Sequence, residues 1–138
     1  MINNQMLAHA ALFFGLAGSG LIFLSFLIYV VKRQDYYKLV SSYTNKYDFP
    51  APYSFYHMVG FFGAFPVIRF FIKLSQKKKM YFLDHTNPAY SFFDDNRLKI
   101  HSWMKLFTFL WLTATACLVF FAFFGLLLPW LSQWTYQI

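Results

Sequence analysis

The basic residues of this chain are confined to its middle. All twelve Lys and Arg residues lie between Lys32 and Lys105, and the stretches on either side contain none. Two long apolar runs occupy these flanks, at residues 7–31 and 106–131. A helix needs about 20 apolar residues to cross a hydrocarbon core of about 30 Å. The pattern therefore predicts an all-α integral membrane protein with transmembrane helices at 7–31 and 106–131.

The composition supports a membrane protein with a single structural unit. Hydrophobic residues make up 59% of the chain and aromatic residues 25%, more than a water-soluble core of 138 residues requires. Little of the chain remains for a separate soluble domain. Residues 1–6 carry no Lys or Arg, and the apolar run that follows is too long for a signal peptide. We therefore expect the first segment to remain as a membrane anchor.

A basic amphipathic connector follows the first apolar run, at residues 32–52. Tyr36, Val40, Tyr43 and Tyr47 recur at helical intervals, so the helix is predicted to continue beyond the membrane. It cannot continue through the sequence FPAP at 49–52, because each proline removes a backbone donor and disfavours helical geometry in the residue before it.

The segment at 53–72 is membrane-associated, and its hydropathy leaves two alternatives open. Its 20 residues suffice for a third span, but it contains His57, Pro66, Arg69 and two glycines. A crossing would place basic residues on both sides of the membrane, against the positive-inside rule. A segment that enters and returns, or that lies in the interface, keeps every base on the cytoplasmic-type side and both termini outside. We favour this second topology, whose re-entrant form needs neighbouring protein to cover its irregular backbone.

Residues 73–105 form a basic loop that leads into the last span. Asp94, Asp95 and Asn96 are N-cap candidates for a helix that runs through Trp103 into residues 106–131.

Small residues indicate how the first span packs. Ala11, Gly15 and Ser19 recur every four residues, with Gly18 beside them. This spacing lets another helix approach closely, which is a main source of helix association in lipid. The partner is either the last span or a helix of another membrane protein.

The net charge of +7, placed beside apolar segments, favours anionic lipid headgroups as a partner and disfavours nucleic acid. The candidate headgroup-binding residues are Lys32, Arg33, Arg69, Lys73, Lys77, Lys78 and Lys79.

Sites for metals and cofactors are weakly indicated. One cluster combines carboxylates and imidazoles: Asp84, His85, Asp94, Asp95 and His101. Such ligands can hold a divalent metal beside a lipid phosphate, but their spacing matches no metal motif, and helix capping explains Asp94 and Asp95 better. Haem between His9 and His101 is disfavoured, since the re-entrant topology puts them at opposite faces. The sequence predicts no cofactor.

These observations favour a small non-enzymatic membrane protein, either an accessory subunit of a larger membrane complex or a regulatory or protective partner of one. One alternative is a self-associating pore or transporter subunit, for which Thr108, Thr113 and Thr115 give a thin polar stripe. A less favoured alternative is a lipid-headgroup enzyme that uses the carboxylate and imidazole cluster. A bacterial inner membrane is the default location, and an organellar inner membrane is the alternative.

Overall fold

The computed structural model describes residues 4–127 together with Trp130 and Gln133. The described residues form helices and no strand, apart from an isolated bridge between Met80 and Leu83. The α-helices in chain order are α1 (Asn4–Thr44), α2 (Tyr53–Tyr56), α3 (Phe61–Ser75), α4 (Phe92–Asp95) and α5 (Ser102–Ala122). A 3₁₀ turn at Pro88–Ser91 precedes α4, and a π-helical turn at Phe123–Leu127 follows α5. The prediction of an all-α fold is confirmed for this part of the chain.

Two of the described helices are long and apolar enough to cross a membrane, Gln5–Thr44 and Ser102–Leu126. Only 17% and 11% of their most apolar windows are buried, whereas the core helix of a soluble protein is mostly buried. These helices match the two predicted spans. By contrast, α3 has 15 residues and extends about 22 Å, less than the hydrocarbon thickness of about 30 Å.

The chain divides into two compact units, here called the terminal unit (Met1–Ser25 with Phe109–Ile138) and the central unit (Phe26–Thr108). In the terminal unit, α1 and α5 pack side by side. A Cβ built on Gly18 would lie 3.0 Å from the Leu118 side chain, and one built on Gly125 would lie 3.8 Å from the Ala11 Cβ. The contact nearer the start of α1, at Ala11, is therefore with the later residue, Gly125, and the contact at Gly18 is with the earlier residue, Leu118. The two helices are antiparallel.

The central unit has an aromatic core. The fully buried ring of Tyr43 lies 4.7 Å from that of Phe49, 5.5 Å from Phe70 and 5.2 Å from Phe92. Tyr36 is also fully buried. Each well-oriented aromatic pair contributes about 0.5 to 1.5 kcal/mol beyond the burial of its area. This clustering explains why α1 continues to Thr44, since the tyrosines recurring at helical intervals supply one face of the core.

Within the central unit, α3 runs parallel to the second half of α1. The Phe61 ring at the start of α3 lies 5.3 Å from Phe26, and the Phe71 ring further along lies 5.6 Å from Tyr43. The chain between the two helices must therefore return along them. It does so through α2, which meets the start of α3 in a hairpin.

The prediction that Asp94 and Asp95 begin the last helix is wrong. Both residues belong to α4, which ends at Asp95, and α5 begins only at Ser102. The Asn96 side-chain amide donates a hydrogen bond to the Phe92 carbonyl at 2.7 Å, which satisfies an acceptor at the end of α4. Arg97 then adopts left-handed backbone geometry with φ 51°, so the helix cannot propagate.

Candidate functional site

The hairpin of α2 and α3 presents an apolar surface, here called the hairpin tip. Phe55, Met58, Val59 and Phe62 have exposed fractions of 66%, 77%, 41% and 70%. Four large apolar side chains in one short segment form the kind of exposed patch that marks a membrane or protein contact. The hairpin tip was missed at the level of sequence, although its i, i+3, i+4, i+7 spacing is typical of one helical face.

The start of α3, next to the hairpin tip, packs against other aromatic residues of the central unit. Phe61 is the neighbour of Phe62, and its ring lies 5.3 Å from Phe26, 5.7 Å from Tyr29 and 6.1 Å from Phe107. Phe26 and Tyr29 belong to the apolar run at 7–31, and Phe107 belongs to the run at 106–131. Within the central unit, the start of α3 therefore packs against the last residues of the first apolar run and the first residues of the second.

Two glycines build the hairpin. Gly60 has φ +70°, a left-handed geometry that glycine adopts at no steric cost. Gly63 is buried, and a Cβ built there would overlap the Tyr56 carbonyl group, whose carbon would be 2.7 Å away. The end of α2 can approach α3 this closely only because Gly63 has no side chain.

The small residues of the first span face α5 of the same chain. Ala11 and Gly18 are buried, and a Cβ on Gly15 would lie 3.0 Å from the Phe121 ring. Ser19 is exposed and does not share this face. Gly15 and Gly18 therefore lie against Phe121 and Leu118 of α5, and Ala11 lies beside Gly125 in the turn that follows α5.

The candidate headgroup residues differ in their distance from the apolar runs. Lys32 and Arg33 are exposed and directly follow residues 7–31. The Arg69 guanidinium lies 5.7 Å from the centre of the Phe65 ring, and Lys73 is half-buried. Lys77, Lys78 and Lys79 are exposed beyond the end of α3, which lies about 21 Å from Phe61 along the helix. Of these seven candidates, Lys32 and Arg33 lie nearest in sequence to an apolar run.

The carboxylate and imidazole cluster is not brought together as a ligand set. Asp94 forms an ion pair with Lys77 at 2.6 Å, and Asp95 accepts a hydrogen bond from Ser91 at 2.8 Å. The other members, Asp84, His85 and His101, are exposed. No group of three His, Cys, Asp or Glu residues within the described ranges is arranged to hold a metal ion.

Four polar side chains of the apolar helices bond to the backbone of their own helix. Thr108, Thr113 and Thr115 each donate to the carbonyl four residues earlier, at 2.8 to 2.9 Å. His9 Nδ1 lies 2.6 Å from the Gln5 carbonyl, which requires the ring nitrogen to donate. Because these hydroxyls are already bonded within the helix, they give the pore alternative no additional support.

Comparison of the chain with protein-family models, curated proteins and solved structures found no match.

Proposed function

We propose that this chain is a small non-enzymatic integral membrane protein that serves as an accessory or regulatory partner of a larger membrane complex. The supporting observation is the exposure of its two apolar helices, whose most apolar windows are only 17% and 11% buried. Large side chains such as Phe13, Leu16 and Phe109 are more than 60% exposed. Such surfaces suit lipid and the helices of other membrane proteins, and aromatic residues are common anchors at protein interfaces.

The proposed membrane arrangement has two crossings. The antiparallel pairing of α1 and α5 suits an even number of crossings, with both termini on one side. The hairpin tip then reaches the hydrocarbon of one leaflet and returns, and the basic residues between Lys32 and Lys105 face the cytoplasmic-type side. A bacterial inner membrane is the proposed location.

Purification at native expression level tests the proposed function. The full chain is extracted in mild detergent, cross-linked and analysed by native mass spectrometry. We expect it to co-purify with a larger membrane complex. A monomer that retains no other protein under these conditions contradicts the proposal.

A matched pair of photo-cross-linking positions tests which face of α1 meets the partner. Leu16 is 67% exposed, whereas Ala11 is 6% exposed and contacts α5. A photoreactive residue at 16 should form adducts with another protein, and one at 11 should react within the chain. If neither position forms an adduct with another protein, the result contradicts docking through this face.

A further inference from the structure

An open cleft of about 760 Å³ lies in the central unit, next to the start of α5. Three basic side chains line this cleft: Arg97, Lys99 and Lys105. None of them was among the headgroup candidates from sequence. Ser75 and Gln76 add neutral hydrogen-bonding groups.

The charge of the cleft is strongly positive. Asp94 is the one acidic residue among its lining side chains, and its carboxylate is paired with Lys77 at 2.6 Å. Among the described residues, no ion pair joins Arg97, Lys99 or Lys105 to a carboxylate. The cleft therefore presents three cationic groups to a ligand, while the charge of Asp94 is balanced by Lys77.

The ends of two helices lie at the cleft. In the described part of the chain, Lys77 and Arg97 are the residues other than glycine with positive φ, at 52° and 51°. Both follow the last residues of a helix, where a left-handed residue ends the helix and glycine is the usual occupant. Arg97 lines the cleft, and Lys77 forms the ion pair with Asp94 of the cleft.

The position of Lys105 indicates the source of the ligand. Lys105 immediately precedes the apolar run at 106–131, and Trp103 lies two residues earlier. Basic and tryptophan residues at the end of a span are typical of the headgroup layer. In the proposed membrane arrangement, on which this inference rests, one edge of the cleft therefore adjoins the lipid phosphates.

We propose that the cleft binds the phosphate-bearing headgroup of an anionic phospholipid. Arg97 suits bidentate hydrogen bonding to phosphate oxygens, while Lys99 and Lys105 act as point charges around it. This proposal does not depend on a protein partner, because it requires only the chain and lipid.

Native mass spectrometry of the purified full chain, titrated with phosphatidylglycerol or phosphatidylcholine, tests the proposal. We expect phosphatidylglycerol to bind more tightly. The triple variant R97Q/K99Q/K105Q should lose at least about tenfold in affinity for it, because one charge-assisted hydrogen bond accounts for such a factor. The double variant R97Q/K105Q should also lose more than its matched control K38Q/K46Q, which removes the same charge from exposed positions outside the cleft and outside the headgroup candidates and should lose less than about threefold.

Four results would overturn the proposal. Three of them are equal binding of the two lipids, equal losses in R97Q/K105Q and K38Q/K46Q, and binding of inorganic phosphate without binding of phosphatidylglycerol. The last result would assign the cleft to a soluble phosphate compound instead. Arg97→Gly guards against a folding artefact, since glycine relieves the left-handed geometry at this position. This variant should unfold at a higher temperature than the parent and still bind phosphatidylglycerol more weakly, and unchanged binding would also overturn the proposal.

Discussion

Gly63→Ala tests the close approach on which the α2–α3 hairpin depends. The added Cβ would overlap the Tyr56 carbonyl group, with the carbonyl carbon at 2.7 Å and the Tyr56 Cα at 3.2 Å. Ordinary carbon contacts are about 3.5 to 4.0 Å, so the backbone must move by roughly an ångström. Overpacking of this kind costs about 1 to 3 kcal/mol, and displacement of backbone places this site at the upper end.

Helix propensity acts in the opposite direction, because Ala is favoured over Gly inside a helix by about 1 kcal/mol. The net expected loss is about 2 kcal/mol, which lowers the unfolding midpoint of a chain of this size by about 4 to 8 °C. Gly20→Ala is the matched control, since nothing lies within 4 Å of a Cβ built at Gly20. It should be neutral or stabilising.

The measurement is the thermal unfolding midpoint of each variant, in one detergent and at one protein concentration. If the unfolding midpoint of Gly63→Ala equals or exceeds that of Gly20→Ala, the packing of Tyr56 against α3 is refuted. The hairpin geometry would then have to be abandoned.

Further predictions concern the other packed and strained positions. Gly18→Leu should lower the unfolding midpoint by several degrees because it overlaps α5, and Gly20→Leu should not; equal effects would argue against the antiparallel pair. The buried Tyr43 hydroxyl has no hydrogen-bond partner among the described residues, so Tyr43→Phe should leave the stability of the protein unchanged. Tyr43→Ala should lower the free energy of unfolding by about 3 to 5 kcal/mol. A clear loss of stability in the Phe variant would show that the hydroxyl has a partner. Lys77→Gly should stabilise by up to about 1 kcal/mol, because relief of the positive φ outweighs an ion pair to Asp94 that is more than 60% exposed on both sides; a lower midpoint would give the ion pair the larger effect.

The apolar runs could be predicted from sequence because hydropathy over 20 residues is a local property. The same holds for the continuation of α1, since Tyr36, Val40 and Tyr43 fall at helical intervals and all three are buried. The spacing of Ala11, Gly15 and Gly18 also indicated a packing face. Their partner could not be predicted, because the choice between α5 and another chain depends on tertiary contacts and not on a local sequence pattern.

The course of the chain between the spans could not be predicted for a similar reason. Asp94 and Asp95 look like caps in isolation, but they engage Lys77 and Ser91, and the helix ends with them. Likewise, the cleft combines Ser75 of α3 and Phe93 of α4 with the segment before α5 and with Lys105. Its three basic residues are close in sequence, but their position beside the end of α3 depends on tertiary contacts, which a count of charges along the chain does not show.

Cysteine accessibility in sealed vesicles tests the proposed arrangement most directly. Single cysteines at Met6, Gln133 and Tyr81, all exposed positions, are introduced after replacement of Cys117 by serine. A membrane-impermeant maleimide is then applied to right-side-out and inverted vesicles. We expect residues 6 and 133 to react from the same side and residue 81 from the opposite side. Reaction of residues 6 and 133 from opposite sides would contradict two crossings and require a third.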